Sequence, residues 1–180
     1  MSNSVMIPNA IAATDIDSYN RTGVSALTLY NGNLVGLSTY GAASGEAEVW
    51  TGITPNSGTS GLKDLWMVYD PELVWTGSYR GLDPDVRNFV ITAGNVFSIF
   101  KPQEGDVFTI TEDGLSVGSS IGDLFIKAVD TTGGVKPQWV HAVDLTVFCA
   151  KYLAVSYISI GTGAIDNQRV TAYQFEVVSA

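Results

Sequence analysis

Two runs near the end of the chain alternate in polarity with a period of two. From Trp139 to Phe148 the odd positions read Trp139, His141, Val143, Leu145 and Val147, and the even ones Val140, Ala142, Asp144, Thr146 and Phe148. From Arg169 to Val178 the odd positions read Arg169, Thr171, Tyr173, Phe175 and Val177, set against Val170, Ala172, Gln174, Glu176 and Val178. Successive side chains face opposite ways only in a strand, so each run describes a half-buried strand. No stretch sustains the 3.6-residue period of a long helix. Strands are expected over Val24–Tyr30, Leu34–Tyr40, Ala47–Thr51, Leu65–Tyr69, Leu73–Thr76, Asn95–Phe100, Asp106–Thr111, Asp123–Val129, Gln138–Cys149, Tyr152–Ile160 and Arg169–Val178. Asp83–Phe89 has room for one helical turn, which Pro84 would open. Many short strands at regular spacing predict a mainly β fold, a single sandwich-like or barrel-like domain with little helix.

Punctuation divides the chain further. Asn31-Gly32 lies between two apolar runs and suits a turn that needs positive φ, which predicts a hairpin of Val24–Tyr30 with Leu34–Tyr40. Gly52–Gly61 consists almost wholly of turn residues and reads as a loop. Residues 1–22 lack alternation long enough to hold a strand alone. They read as an extended N-terminal arm, with Val5, Met6 and Ile7 as its anchor, ahead of one β-rich domain over 23–180.

Charge and composition remove several functions. Nine Lys and Arg against 18 Asp and Glu leave a net charge of −9, which opposes binding to a phosphate backbone and so excludes a nucleic-acid partner. Only 15% of residues are charged, below the usual ~25%, and 16 Ser, 16 Thr and 19 Gly fill the difference. The longest low-charge stretch, Leu153–Ile165, is broken by Ser156, Ser159, Gly161 and Gly163 and is too short for a membrane span. The first twenty residues lack a signal peptide's basic start and apolar core, so synthesis in the cytoplasm without export is expected. One Cys and one His exclude an internal disulfide and most zinc sites.

The remaining chemistry is sparse. His141 has no nucleophile beside it, and Asp144 points to the opposite strand face, so a structural role is expected. Cys149 ends an apolar run and reads as a small hydrophobe. Asp83-Pro84-Asp85 and Glu112-Asp113-Gly114 bring carboxylates together but lack the alternate spacing of a calcium loop, and read as solvated turns. There is no P-loop and no dinucleotide fingerprint. No catalytic residue, metal or cofactor is predicted. What stands out is an aromatic cluster of Trp66, Tyr69, Trp75 and Tyr79 within 14 residues. Trp66 suits a β core, but large rigid rings also favour interfaces, and Trp66, Trp75 and Tyr79 are expected at a partner surface with the arm residues.

The block LKDLWMVYDPELVWTGSYRGLDPDVRNFVITAGNVFSIFKPQEGDVFTIT, with the closing RVTAYQFEVVSA, resembles head-associated virion proteins of tailed bacteriophages. These are the decoration or cement proteins encoded near the major capsid protein. Trp66-Met67, Asp83-Pro84-Asp85 and Pro102–Thr111 carry the likeness, which covers about half the chain. The resemblance implies a non-enzymatic virion protein on the outer capsid surface that bridges capsid subunits. Its implied partners are the major capsid protein and further copies of itself, in trimers at three-fold positions of the shell. The residues leave two alternatives open, a carbohydrate- or receptor-binding module of the tail-fibre or adhesin type and a β-rich hydrolase.

Overall fold

The computed structural model describes residues 4–41, 48–53, 64–71, 75–76, 81–82, 85–115, 125–128, 137–139, 148–161 and 167–180. The chain is mainly β, and among the described residues helix is limited to short 3₁₀ turns such as Ala12–Thr14 and Asp17–Tyr19. Among the described residues no helix is long and apolar enough to cross a membrane.

Five strands close into a barrel: β2 (Asn20–Val24), β4 (Trp50–Ile53), β3 (Leu34–Tyr40), β5 (Trp66–Val68) and β8 (Val96–Phe100), in that order around it. Alternation sorts the side chains. Val35, Trp66, Val68, Phe97 and Ile99 share one buried cluster with Leu29, Phe89 and Ile91. A Cβ on Gly23 or Gly52 would lie 3.2 or 3.3 Å from the Phe97 ring, so two bare backbones make room for it inside so narrow a barrel. Leu34, Met67 and Phe100, next along the same strands, belong instead to the second cluster.

That second cluster joins the barrel to a six-stranded sheet. Its order is β1 (Met6–Ala10), β9 (Val107–Thr111), β13 (Asn167–Ser179), β12 (Cys149–Gly161), β10 (Phe125–Ala128) and β11 (Pro137–Trp139). Phe108, Ile110, Tyr173, Phe175 and Val177 project from the sheet, with Phe148 just before β12, to meet the barrel's outward residues. A separate two-residue ladder pairs β6 (Trp75–Thr76) with β7 (Gly81–Leu82).

Residues 4–22 depart from the expected arm. Val5 and Met6 are buried, and Met6 sits in the core between sheet and barrel. The Thr111 N–H donates to the Val5 carbonyl and the Val5 N–H to Thr111 Oγ1, both at 3.0 Å. Downstream, the buried Asp106 carboxylate accepts from the N–H groups of Ala12 and Gln103, each at 2.8 Å. A short apolar run with no alternation of its own is thus held by a strand a hundred residues away, and its chain then supplies barrel strand β2.

The Asn31-Gly32 turn is present, but its flanks do not form the expected hairpin. β3 pairs with β4 and β5, while Leu29 makes an isolated bridge to Ile91. Side chains redirect the turn: Asn31 Nδ2 donates to the Asp70 carbonyl, the Asp70 N–H donates back to Asn31 Oδ1, and the Gly32 N–H donates to the Val68 carbonyl. The expected helical turn is a 3₁₀ turn at Val86–Asn88, capped by Asp85 rather than opened by Pro84, which lies outside the described residues.

Candidate functional site

The residues expected to touch a partner do not come together. Val5 and Met6 face the protein's own core, and Trp66 fills the barrel with the Arg21 guanidinium 5.7 Å from its ring. Ile7, the next residue along β1, is 39% exposed and paired with Thr109. Trp75 stands opposite Leu82 in the β6–β7 ladder, with its side chain outside the described residues. Tyr79 and His141 lie outside them altogether. Cys149 is buried, in keeping with a small hydrophobe.

The most distinctive surface lies at β12, where sequence reading placed no function. β12 and β13 pair antiparallel from Cys149↔Ser179 to Gly161↔Asn167, well beyond the part of the sheet that packs on the barrel. Register shifts at Tyr152/Ala154 make Leu153 a bulge. Past it, Val155 pairs with Tyr173 and Tyr157 with Thr171, so both belong to the face that continues from the core. Leu153, Val155 and Tyr157 are 41%, 42% and 52% exposed. Aromatic rings lead outward along this face: Phe108 lies 5.7 Å from Phe175, and Tyr152 lies 6.3 Å from both Phe175 and Tyr173. The Arg169 guanidinium then sits 3.9 Å from the Tyr157 ring centroid, a cation–π contact at the surface. Burial pushes the Tyr173 hydroxyl pKa up, and the Glu112 charge, with Tyr152 and Tyr157, adds to the shift. The ring is therefore a neutral packing element at physiological pH.

One polar cluster fixes the far end of this hairpin. Arg87 donates from its NH1 group to Gln168 Oε1 at 2.8 Å and bridges Asp85 at 2.8 Å. Hydrogen bonds from Arg87 hold the Asp85 pKa below its ordinary value despite partial burial, so the folded state binds this proton more weakly than the unfolded chain does. The stabilisation is complete above the ordinary carboxylate range and disappears as pH falls through the lowered value. We expect Asp85→Asn to lower stability by about 0.5–1 kcal/mol at neutral pH, with the difference from the parent shrinking as pH falls through the lowered Asp85 value. Urea unfolding of both proteins over a series of acidic pH values measures this directly.

Among the described residues no three His, Cys, Asp or Glu side chains converge to hold a metal. A mostly apolar groove of about 330 Å³ runs past Pro8, Ile11, Asn20, Tyr69, Ser98 and Phe100. Its Asn20 amide is occupied, donating to the Ala13 carbonyl at 2.7 Å. No known protein family, no curated protein and no solved structure matches the chain.

The signal for β12 was present in the sequence. Leu153–Ile165 stands out for its lack of charge, a pattern that by itself bears only on membrane insertion. Exposure depends on where the barrel stops covering the sheet, which local pattern does not record.

Proposed function

We propose that the protein is a non-enzymatic structural component of a tailed-phage virion, decorating the outer surface of the shell and bridging neighbouring capsid subunits. One observation supports this reading above others. Four large apolar side chains stand exposed on strands of the six-stranded sheet, Ile7 on β1 and Leu153, Val155 and Tyr157 on β12. Flat strand surfaces suit folded partners and strand addition, whereas small ligands are held in concave sites. The acidic balance of the chain suits an outer surface, away from packaged nucleic acid.

Of the residues first expected to touch a partner, Val5, Met6 and Trp66 leave that role because they form core. Ile7 keeps it in this proposal, as do Trp75 on β6 and Tyr79. Each contact is individually weak, since covering one partly exposed apolar side chain contributes only ~1 kcal/mol. Repetition over a shell compensates, because a protein that binds assembled subunits and not free ones shifts the equilibrium toward assembly.

Co-sedimentation with assembled tailed-phage capsid shells tests the reading. The parent protein should pellet with the shells. Ile7→Asp places a charge on a solvent-facing position and should weaken retention about tenfold while leaving the melting curve unchanged. A parent protein that stays in the supernatant would remove the shell assignment.

A further inference from the structure

We propose that Asn31-Gly32 is a latent self-modification site. While the turn is seated, the Asn31 amide survives. In a chain whose turn has not docked, Asn31 converts spontaneously to aspartate and isoaspartate, and the converted chain no longer builds the same turn.

The chemistry belongs to the dipeptide. In an open chain the Gly32 backbone nitrogen attacks Asn31 Cγ. The new N–Cγ bond closes a five-membered succinimide and the Cγ–Nδ2 bond breaks. The amide leaves as ammonia, carrying the proton that the Gly32 nitrogen gives up. Water then opens the ring at either carbonyl. Opening at Cγ leaves aspartate at position 31; opening at the main-chain carbonyl leaves isoaspartate, whose backbone runs through the former side chain. No oxidant, metal or enzyme takes part. A side chain on the following residue hinders the attack, and glycine has none. Asn31-Gly32 is the one Asn-Gly pair in the sequence, whereas Asn33, in the same turn, precedes the bulky Leu34.

The fold suppresses each step. Asn31 is fully buried, which keeps water from the ring carbonyls. Its Nδ2 donates to the Asp70 carbonyl and its Oδ1 accepts from the Asp70 N–H, each at 2.9 Å, so the amide plane is held. The nucleophile is engaged as well: the Gly32 N–H donates to the Val68 carbonyl at 2.8 Å. The Ser4 hydroxyl donates to the Asn31 carbonyl at 2.6 Å and fixes the peptide that joins the reacting pair. Ring closure must turn the side chain onto the Gly32 nitrogen, so the bonds to Val68 and Asp70 have to open first.

The seated turn needs the very residues that react when it is open. Asn31 offers both a donor and an acceptor to Asp70, and Gly32 has φ +85° with Ile110 packed against it. Aspartate at position 31 keeps the acceptor but sets a carboxylate oxygen against the Asp70 carbonyl, a buried charge without a donor. Isoaspartate lengthens the main chain inside a packed turn. Timing decides which chains are marked. Asp70 follows Asn31 by 39 residues, a stretch that synthesis crosses in seconds. Succinimide closure is far slower, so chains that fold promptly escape it, and chains that stall unfolded are converted.

Peptide mapping by mass spectrometry tests the proposal on the full chain, aged at mildly alkaline pH with and without urea. In urea, residue 31 should change from amide to acid and yield a product that an isoaspartyl methyltransferase labels, while Asn33 in the same peptide stays intact. In the native protein the conversion should be about a hundredfold slower or more, because the turn must open first. Chains aged in urea are then refolded by dilution and separated by size exclusion. The folded fraction should hold intact Asn31, and the unfolded fraction the converted residue. Asn31→Asp supplies one product without ageing and should lower the melting temperature by about 5 °C or more, or prevent folding. Absence of conversion in urea, equal rates with and without urea, an even distribution of converted chains between the two fractions, or an Asn31→Asp protein that melts with the parent would each overturn the proposal.

Discussion

Replacing Gly32 by alanine is expected to lower the melting temperature by about 5–15 °C. Two costs combine. Gly32 has φ +85°, where an L side chain costs about 1–2 kcal/mol. Its Cβ would also lie 2.4 Å from Ile110 Cδ1 and 3.3 Å from Ile110 Cγ1. Crowding of this kind in a packed core costs about 1–3 kcal/mol. A flexible side chain could swing aside, but Ile110 is fully buried and hemmed in from a second direction. A Cβ on Gly114 would lie 2.6 Å from Ile110 Cγ1 and 2.7 Å from its Cδ1. The isoleucine is thus enclosed between two glycines, one on the turn before β3 and one just after β9. Ile110→Val removes the clashing methyl. The double variant should therefore be more stable than the two separate losses predict, a coupling that thermal or urea melts resolve. A Gly32→Ala protein melting within about 2 °C of the parent would mean the turn is not seated on Ile110.

Trp66→Ala should be equally damaging, for a different reason. The ring is only 9% exposed and shares the barrel interior with Val35, Val68, Phe97 and Ile99. Truncating a buried tryptophan costs about 3–5 kcal/mol, because a five-stranded barrel cannot collapse into the space. For a chain of this size that lowers the melting temperature by about 6–20 °C. A residue whose role is to contact a partner would behave in the opposite way, keeping stability and losing binding. Parental melting with impaired binding would return Trp66 to the interface and empty the barrel of its largest side chain.

Local pattern carried much of the fold and little of its assembly. β8 and β13 announced themselves by alternation, because Phe97 and Ile99 on one and Tyr173, Phe175 and Val177 on the other face a core, whereas most of the alternating run Trp139–Phe148 lies outside the described residues. Asn31-Gly32 announced a turn, since only certain residues accept positive φ. Which strands the turn would join was not legible, because Asp70 and Val68, nearly forty residues on, decide it through hydrogen bonds to Asn31 and Gly32. The N-terminal segment failed in the same way. Val5, Met6 and Ile7 are too few to read as strand, and the Thr111 groups that hold them lie far along the chain. Trp66 and Ile7 show the limit for the surface: ring size and apolarity favour core and interface alike, and only the assembled barrel and sheet separate them.

The sheet's strand order has a consequence for how the molecule is made. β13 is the last described strand in the chain, yet it lies between β9 and β12 near the middle of the sheet. All five barrel strands lie within residues 20–100 and leave the ribosome after β1 but before β9 and every later strand. A nascent chain can therefore close its barrel while β9 and β12 still await the strand that joins them. Contacts this distant in sequence form slowly. Until β13 arrives, the unfinished sheet exposes extra hydrogen-bonding edges and the apolar residues Phe108, Ile110 and Phe148, the kind of surface that chaperones hold and that aggregates when synthesis outruns folding.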